Sequence, residues 1–121
     1  MIKKSFYIKI KDGIEFSKIS GDNNKIHLDD REGYNSIFGE KICHGCLVIL
    51  RLFKIINLKK YFNRTKNISI KFNKHFSYEK KIVIKLRKAS KVIYIDLLQF
   101  NEIRCSIELS FKAIIKKYSF N

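Results

Sequence analysis

The chain has 121 residues, 45% of them hydrophobic, with 26 Lys and Arg against 11 Asp and Glu. That size suits one domain with a single core, and the hydrophobic share excludes a disordered chain. The formal charge of +15 would suit a nucleic-acid partner, but the lysines run through the whole sequence instead of forming one patch. The 21 Lys rise together with 21 Ile and 9 Asn, with no Pro or Trp. Such drift reads as an AT-rich coding bias, so neither nucleic acid nor membrane is expected as a partner. No run reaches the ~20 apolar residues of a bilayer span. The alternating Lys and Ile of residues 2–11 also lack the unbroken apolar segment of a signal peptide. Cytoplasmic residence is the expectation, and three cysteines (Cys43, Cys46, Cys105) fit a reducing compartment.

Taken in chain order, the alternation from Ser5 to Ile10 predicts a first strand, and Asp12-Gly13 a turn after it. Ile14 to Ser20 predicts a short helix burying Phe16 and Ile19. Gly21 to Glu40 is rich in Gly, Asn, Asp and Ser, so mostly loop, and a loop of that length in a compact domain is usually functional. Gly45 to Leu58 predicts the main helix. It is apolar around most of its circumference, with only Arg51 and Lys54 as a polar stripe, so it should be buried on most sides. Tyr61 to Lys66 is a polar connection.

The second half predicts four strands, over residues 67–76, 81–88, 91–100 and 103–115. In the last, Ile103, Cys105, Ile107, Leu109, Phe111 and Ala113 alternate with polar residues, as in a sheet covered on one face. Ala89-Ser90 and Asn101-Glu102 mark tight connections of an antiparallel meander. No internal repeat or second domain is visible, so residues 1–121 read as one domain.

The chemistry-bearing residues gather in one stretch, Ser20-Gly21-Asp22-Asn23-Asn24-Lys25-Ile26-His27-Leu28-Asp29 and then Phe38-Gly39, Ile42, His44-Gly45 and Leu47. An Asp and a His five residues apart could share proton transfers around one water. The start of the long helix offers free N–H groups to an oxyanion. In isolation such a D-x4-H is more often a turn with a loop histidine; the downstream His-Gly at a helix start points instead to chemistry on a carbonyl compound.

These two segments resemble the SGD-x-NPIH-x-D and FGG-x-IAHGML motifs of the MaoC-like, or (R)-specific enoyl-CoA hydratase, family. The match covers about a quarter of the chain, and two linked motifs in register are more specific than either alone. The resemblance implies an α+β hot-dog fold, an antiparallel sheet wrapped around one central helix. It implies a hydro-lyase interconverting trans-2-enoyl and (R)-3-hydroxyacyl thioesters, with Asp22 and His27 as the catalytic pair. Gly45 would give a backbone oxyanion donor, with Asn24 orienting the loop or a catalytic partner. His44 reads as a residue capping or packing beside the helix start, and as a lesser candidate for substrate contact. The substrate would be carried by coenzyme A or an acyl carrier protein, with no other cofactor and no metal. A homodimer is implied.

The sequence departs from the family pattern at Lys25, at His75 and at Glu79-Lys80, where the family has Gly-Asp. Lys25 stands where the family usually has Pro. His75 occupies a position where the family often has Pro in an F-x-x-P-V segment, and is read as a strand-end residue without a catalytic role. Cys43-His44-Gly45-Cys46 resembles a redox C-x-x-C, but no βαβ pattern surrounds it and a fourth zinc ligand is lacking. Its cysteines read as small buried hydrophobes. A thioesterase-type or non-catalytic hot-dog protein binding acyl thioesters is the alternative; the absence of any carboxylate between Gly45 and Leu58 favours the hydratase arrangement.

Overall fold

The computed structural model describes residues 2–57 and 59–113. Strand β1 spans Ile2–Phe6, helix α1 Ile10–Ser20, a 3-10 turn Lys25–His27, helix α2 Asp30–Asn35 and helix α3 Gly45–Ile56. A second 3-10 segment, Lys59–Arg64, leads into strands β2 (Thr65–Phe72), β3 (Ile82–Ala89), β4 (Val92–Gln99) and β5 (Glu102–Phe111). The five strands form one antiparallel sheet in the order β1-β3-β4-β5-β2.

The meander β3-β4-β5 follows from the period-two pattern. Alternate residues Ile82, Ile84 and Leu86, Ile93, Ile95 and Leu97 turn to the core, and each is at most 2% exposed. Its turn after β4 places Phe100 and Asn101 at φ 54° and 61°. Two successive positive φ values are the geometry of a two-residue hairpin connection. Against this face packs α3, through Leu47, Val48, Ile49, Leu52 and Ile56. Burying side chains of that size contributes roughly 1.5–3 kcal/mol each. The helix is wrapped by the sheet as expected, but Leu50 stays 58% exposed on its far side. The last predicted helical residue, Leu58, lies outside the described residues.

Several boundaries differ from the sequence reading. The first strand ends at Phe6, because the Asp12 carboxylate accepts the Lys9 N–H at 2.8 Å and starts a helix where the alternation had suggested strand. Gly13 is inside α1, not in a turn before it. A Cβ there would overlap the Tyr78 hydroxyl, so the close approach of helix and ring requires glycine. The buried side of α1 therefore carries Gly13 and Ser17, while Ile19 is 85% exposed. The strand predicted over 67–76 begins at Thr65 and ends at Phe72, leaving Phe76 buried in the following segment.

Strand β5 runs from Glu102 to Phe111, so the exposed Ala113 follows it, and Ile114 and Ile115 lie outside the described residues. A register shift between Leu97 and Leu98 breaks its early alternation: Ile103 points outward and Arg104 is buried. The edge strand β2 is the least covered, with Ile68, Ile70 and Phe72 between 41% and 47% exposed.

Candidate active site

Residues 21–45 cross the start of α3 as a polar strap. Gly21 ends α1 at φ 79°, in the left-handed region that glycine occupies freely, and its N–H closes the helix on the Ser17 carbonyl. Asn24 then caps the 3-10 turn, its Oδ1 accepting the Ile26 N–H at 3.1 Å. The turn delivers His27 to a buried position, where Nδ1 donates to the Ile42 carbonyl at 2.9 Å. With Nδ1 bearing the proton, a neutral His27 keeps Nε2 as an acceptor. Nε2 lies 3.9 Å from Asp22 Oδ2, whose side chain is half exposed. One water at ~2.8 Å from each atom fits that gap.

His44 sits directly behind this pair. Its ring stacks on that of His27, centroids 3.9 Å apart and tilted by 24°, and meets Phe16 edge-on at 5.0 Å. Nε2 donates to the Asp22 carbonyl at 2.9 Å, tying both members of the pair to one side chain. Packing, not capping, is therefore its role at the helix start; its side chain makes no capping bond to the described backbone. Burial pushes its imidazole below the ordinary range, with the Asp22 carbonyl opposing.

Asp22, His27 and His44 each bring a ligand atom within 4.8 Å of the others. The stacking argues against a shared cation: lone pairs of two nearly parallel rings do not converge at the ~2.1 Å of a metal–imidazole bond.

Gly45 is the first residue of α3, so its N–H has no partner one turn back within the helix. It lines a groove of about 310 Å³ together with His27, Phe38, Phe72, His75 and Phe76. A Cβ on Gly45 would stand 3.0 Å from the Phe72 ring, so glycine leaves space between the helix start and that ring. The arrangement combines an acceptor nitrogen, a nearby carboxylate and a helix amide with no partner in its own helix, beside a groove lined by both aromatic and polar side chains. Such a set can move protons on a substrate whose carbonyl oxygen rests on the amide.

The sequence reading missed the residues that brace the site. Tyr78 donates its hydroxyl to the His27 carbonyl at 3.0 Å, and burial pushes its pKa up. Gln99, 1% exposed, accepts the Ser77 N–H at 2.7 Å and donates to the Ser77 and Lys80 carbonyls. Arg104 donates to the His75 carbonyl at 2.8 Å. None has a local sequence signal, because each partner is distant in the chain. His75 itself is not a strand-end residue but part of the groove wall. Of the C-x-x-C, Cys43 is buried with its thiol pushed up to about 12, while Cys46 is exposed, against expectation. A helix-start position turned Cys46 to the surface. All three cysteines are free.

Comparison with solved structures bears directly on this architecture. The unliganded R-hydratase PhaJ1 from Pseudomonas aeruginosa superposes with a TM-score of 0.74 at 17% identity, over 95% of this chain and 80% of that one. The fold is the hot-dog fold. An (R)-hydratase from A. caviae involved in PHA biosynthesis gives 0.69 at 16% identity, over 89% of each chain. A MaoC-like dehydratase from Phytophthora capsici gives 0.76 at 16% identity, over 94% of this chain and 42% of that one. No family model and no curated protein matches the sequence. Among the described residues of this hot-dog chain, no helix is long and apolar enough to cross a membrane.

Proposed function

We propose that this chain is an R-specific hydratase of the MaoC-like type, interconverting trans-2-enoyl and (R)-3-hydroxyacyl thioesters. The observation that carries the reading is the juxtaposition of His27 Nε2 and Asp22 Oδ2, 3.9 Å apart, with the Gly45 amide in the groove that His27 lines. In the hydration direction a water held between them loses a proton to His27 as its oxygen adds to the β-carbon. The α-carbon receives a proton from the same pair, and the Gly45 N–H holds the enolate oxygen between the two steps. No cofactor is needed beyond the coenzyme A or phosphopantetheine that carries the acyl group. Three unpaired thiols suit cytoplasmic residence.

The test is incubation with crotonyl-CoA while following loss of enoyl-thioester absorbance. Turnover that depends on both Asp22 and His27 is expected; no turnover with crotonyl or longer enoyl esters overturns the reading.

A two-fold homodimer belongs to the same proposal. Strand β2 is a sheet edge carrying exposed Ile68, Ile70 and Phe72, next to the mouth of the groove. An uncovered apolar edge invites pairing, and a second copy would cover it. Light scattering should give twice the chain mass at micromolar concentration; an active monomer contradicts it.

A further inference from the structure

The groove is not lined by apolar side chains alone. His75 lines the same groove as His27 and Gly45, in the segment between β2 and β3. Its ring rests against Phe38, centroids 5.0 Å apart, and its Nε2 lies 3.9 Å from Glu40 Oε2. The backbone there is fixed from behind: Arg104 donates to the His75 carbonyl, and the Arg104 carbonyl accepts the Asn73 and Lys74 N–H groups. A histidine so held costs desolvation that a phenylalanine would not, in a groove that Phe38, Phe72 and Phe76 line together with the polar Asn73 and Lys74.

The charges around His75 also restrict what it faces. Glu40 and Glu102 act on it from one sign, Lys74 and Arg104 from the other, and Lys74 and Arg104 both pair with Glu102. Balanced charge favours neither an anionic nor a cationic group. An imidazole in such surroundings offers hydrogen bonding to a neutral polar atom.

We infer that His75, backed by Glu40, selects acyl thioesters whose chain carries an uncharged polar group such as a hydroxyl, over plain hydrocarbon chains. This rests on the hydratase reading for the orientation of the thioester, but its test does not need turnover. The probes are saturated coenzyme A esters, which cannot be hydrated: terminally hydroxylated acyl chains of four to six carbons, each against an apolar chain of matched heavy-atom count. Calorimetric titration of the wild-type protein should show at least one hydroxylated ester binding about tenfold tighter than its match, the discrimination expected when a site group would otherwise be left unpaired. His75→Phe should abolish or invert that ratio, and His75→Gln should retain part of it.

Equal binding of every pair by the wild type overturns the inference, as does a ratio that survives His75→Phe. An equal loss of affinity for all esters in His75→Phe also overturns it, since the bond then belongs to the pantetheine arm. Crotonyl-CoA hydration, measured alongside, separates the two claims. Hydration without a binding preference ends the inference alone, and a preference without hydration ends the hydratase reading alone. Failure of every ester to bind ends both.

Discussion

Two imidazoles line one groove, His27 and His75, and each has a carboxylate oxygen 3.9 Å from its Nε2, from Asp22 and Glu40 respectively. Their surroundings differ. His27 has its Nδ1 proton committed to the Ile42 carbonyl, its ring stacked on His44 and its own carbonyl held by Tyr78. His75 is fixed through its backbone by Arg104, while its ring nitrogens have no hydrogen bond among the described residues. Distance alone therefore does not separate the pair proposed to react from the pair proposed to recognise. What separates them in the proposal is a committed tautomer, which leaves one nitrogen with a defined duty, and a helix amide that lines the same groove.

The largest effect should come from the first pair. Asp22→Asn and His27→Ala are each expected to lower kcat for crotonyl-CoA hydration by about 10²–10⁴-fold, the usual range for a positioned acid or base. The double variant should be little worse than either single one, because groups sharing one water act as a unit. If His75→Phe cost more turnover than His27→Ala, the roles of the two pairs would be exchanged.

Next comes the brace behind His27. Gly13→Ala places a methyl group on the Tyr78 hydroxyl, so the ring must shift and its bond to the His27 carbonyl is expected to weaken. A stability loss of about 1–3 kcal/mol is expected for such overpacking, read by urea unfolding, together with reduced kcat. Tyr78→Phe separates the two consequences: it removes the bond without the clash, at about 1 kcal/mol. Unchanged activity in both variants would show that His27 does not depend on this brace.

A smaller effect follows from pH. Burial holds both His44 and His75 below the ordinary imidazole value of 6.5. The unfolded chain therefore takes up protons first as pH falls, so stability from these groups is complete above about pH 6.5 and is lost below it. Melting temperature should drop between about pH 7 and pH 5.5, and His44→Phe should flatten that slope. Asp29 and Glu102 do not confound the window, because both are held below the ordinary carboxylate range, by the Glu32 backbone N–H and by Lys74 respectively. A melting temperature that rises on acidification would mean that neither imidazole is kept neutral by the fold.

The smallest effect is expected from Lys74→Ala, which removes the exposed 2.8 Å pair to Glu102 beside the His75 segment. Solvent screens such a pair, so thermal unfolding should hardly move. A clear loss of stability would show that the His75 segment is held from the surface as well as by Arg104.

Much of this molecule was legible in one dimension. The alternation of Ile82 to Leu86 and of Ile93 to Leu97, and the nearly all-round apolar helix after Gly45, are local periodicities, and each side chain's burial follows from its spacing. Asp22, Asn24, His27 and Gly45 were singled out differently, by two short motifs that resemble those of a known family, with the Asp–His spacing and the helix start at Gly45 as local support.

Tertiary structure decided the rest. It pairs β2 with β5 and β1 with β3, and it turns Arg104 inward and Ile103 outward at a register shift. It admits Gly13 to a helix because Tyr78, far along the chain, needs the space. It makes His44 a stacking partner and moves His75 from a presumed strand end to the groove wall. Local patterning reports which way a side chain faces, but not what it meets. Partners as distant as Gln99 and Ser77, or Tyr78 and His27, are chosen only when the sheet and helix close on each other.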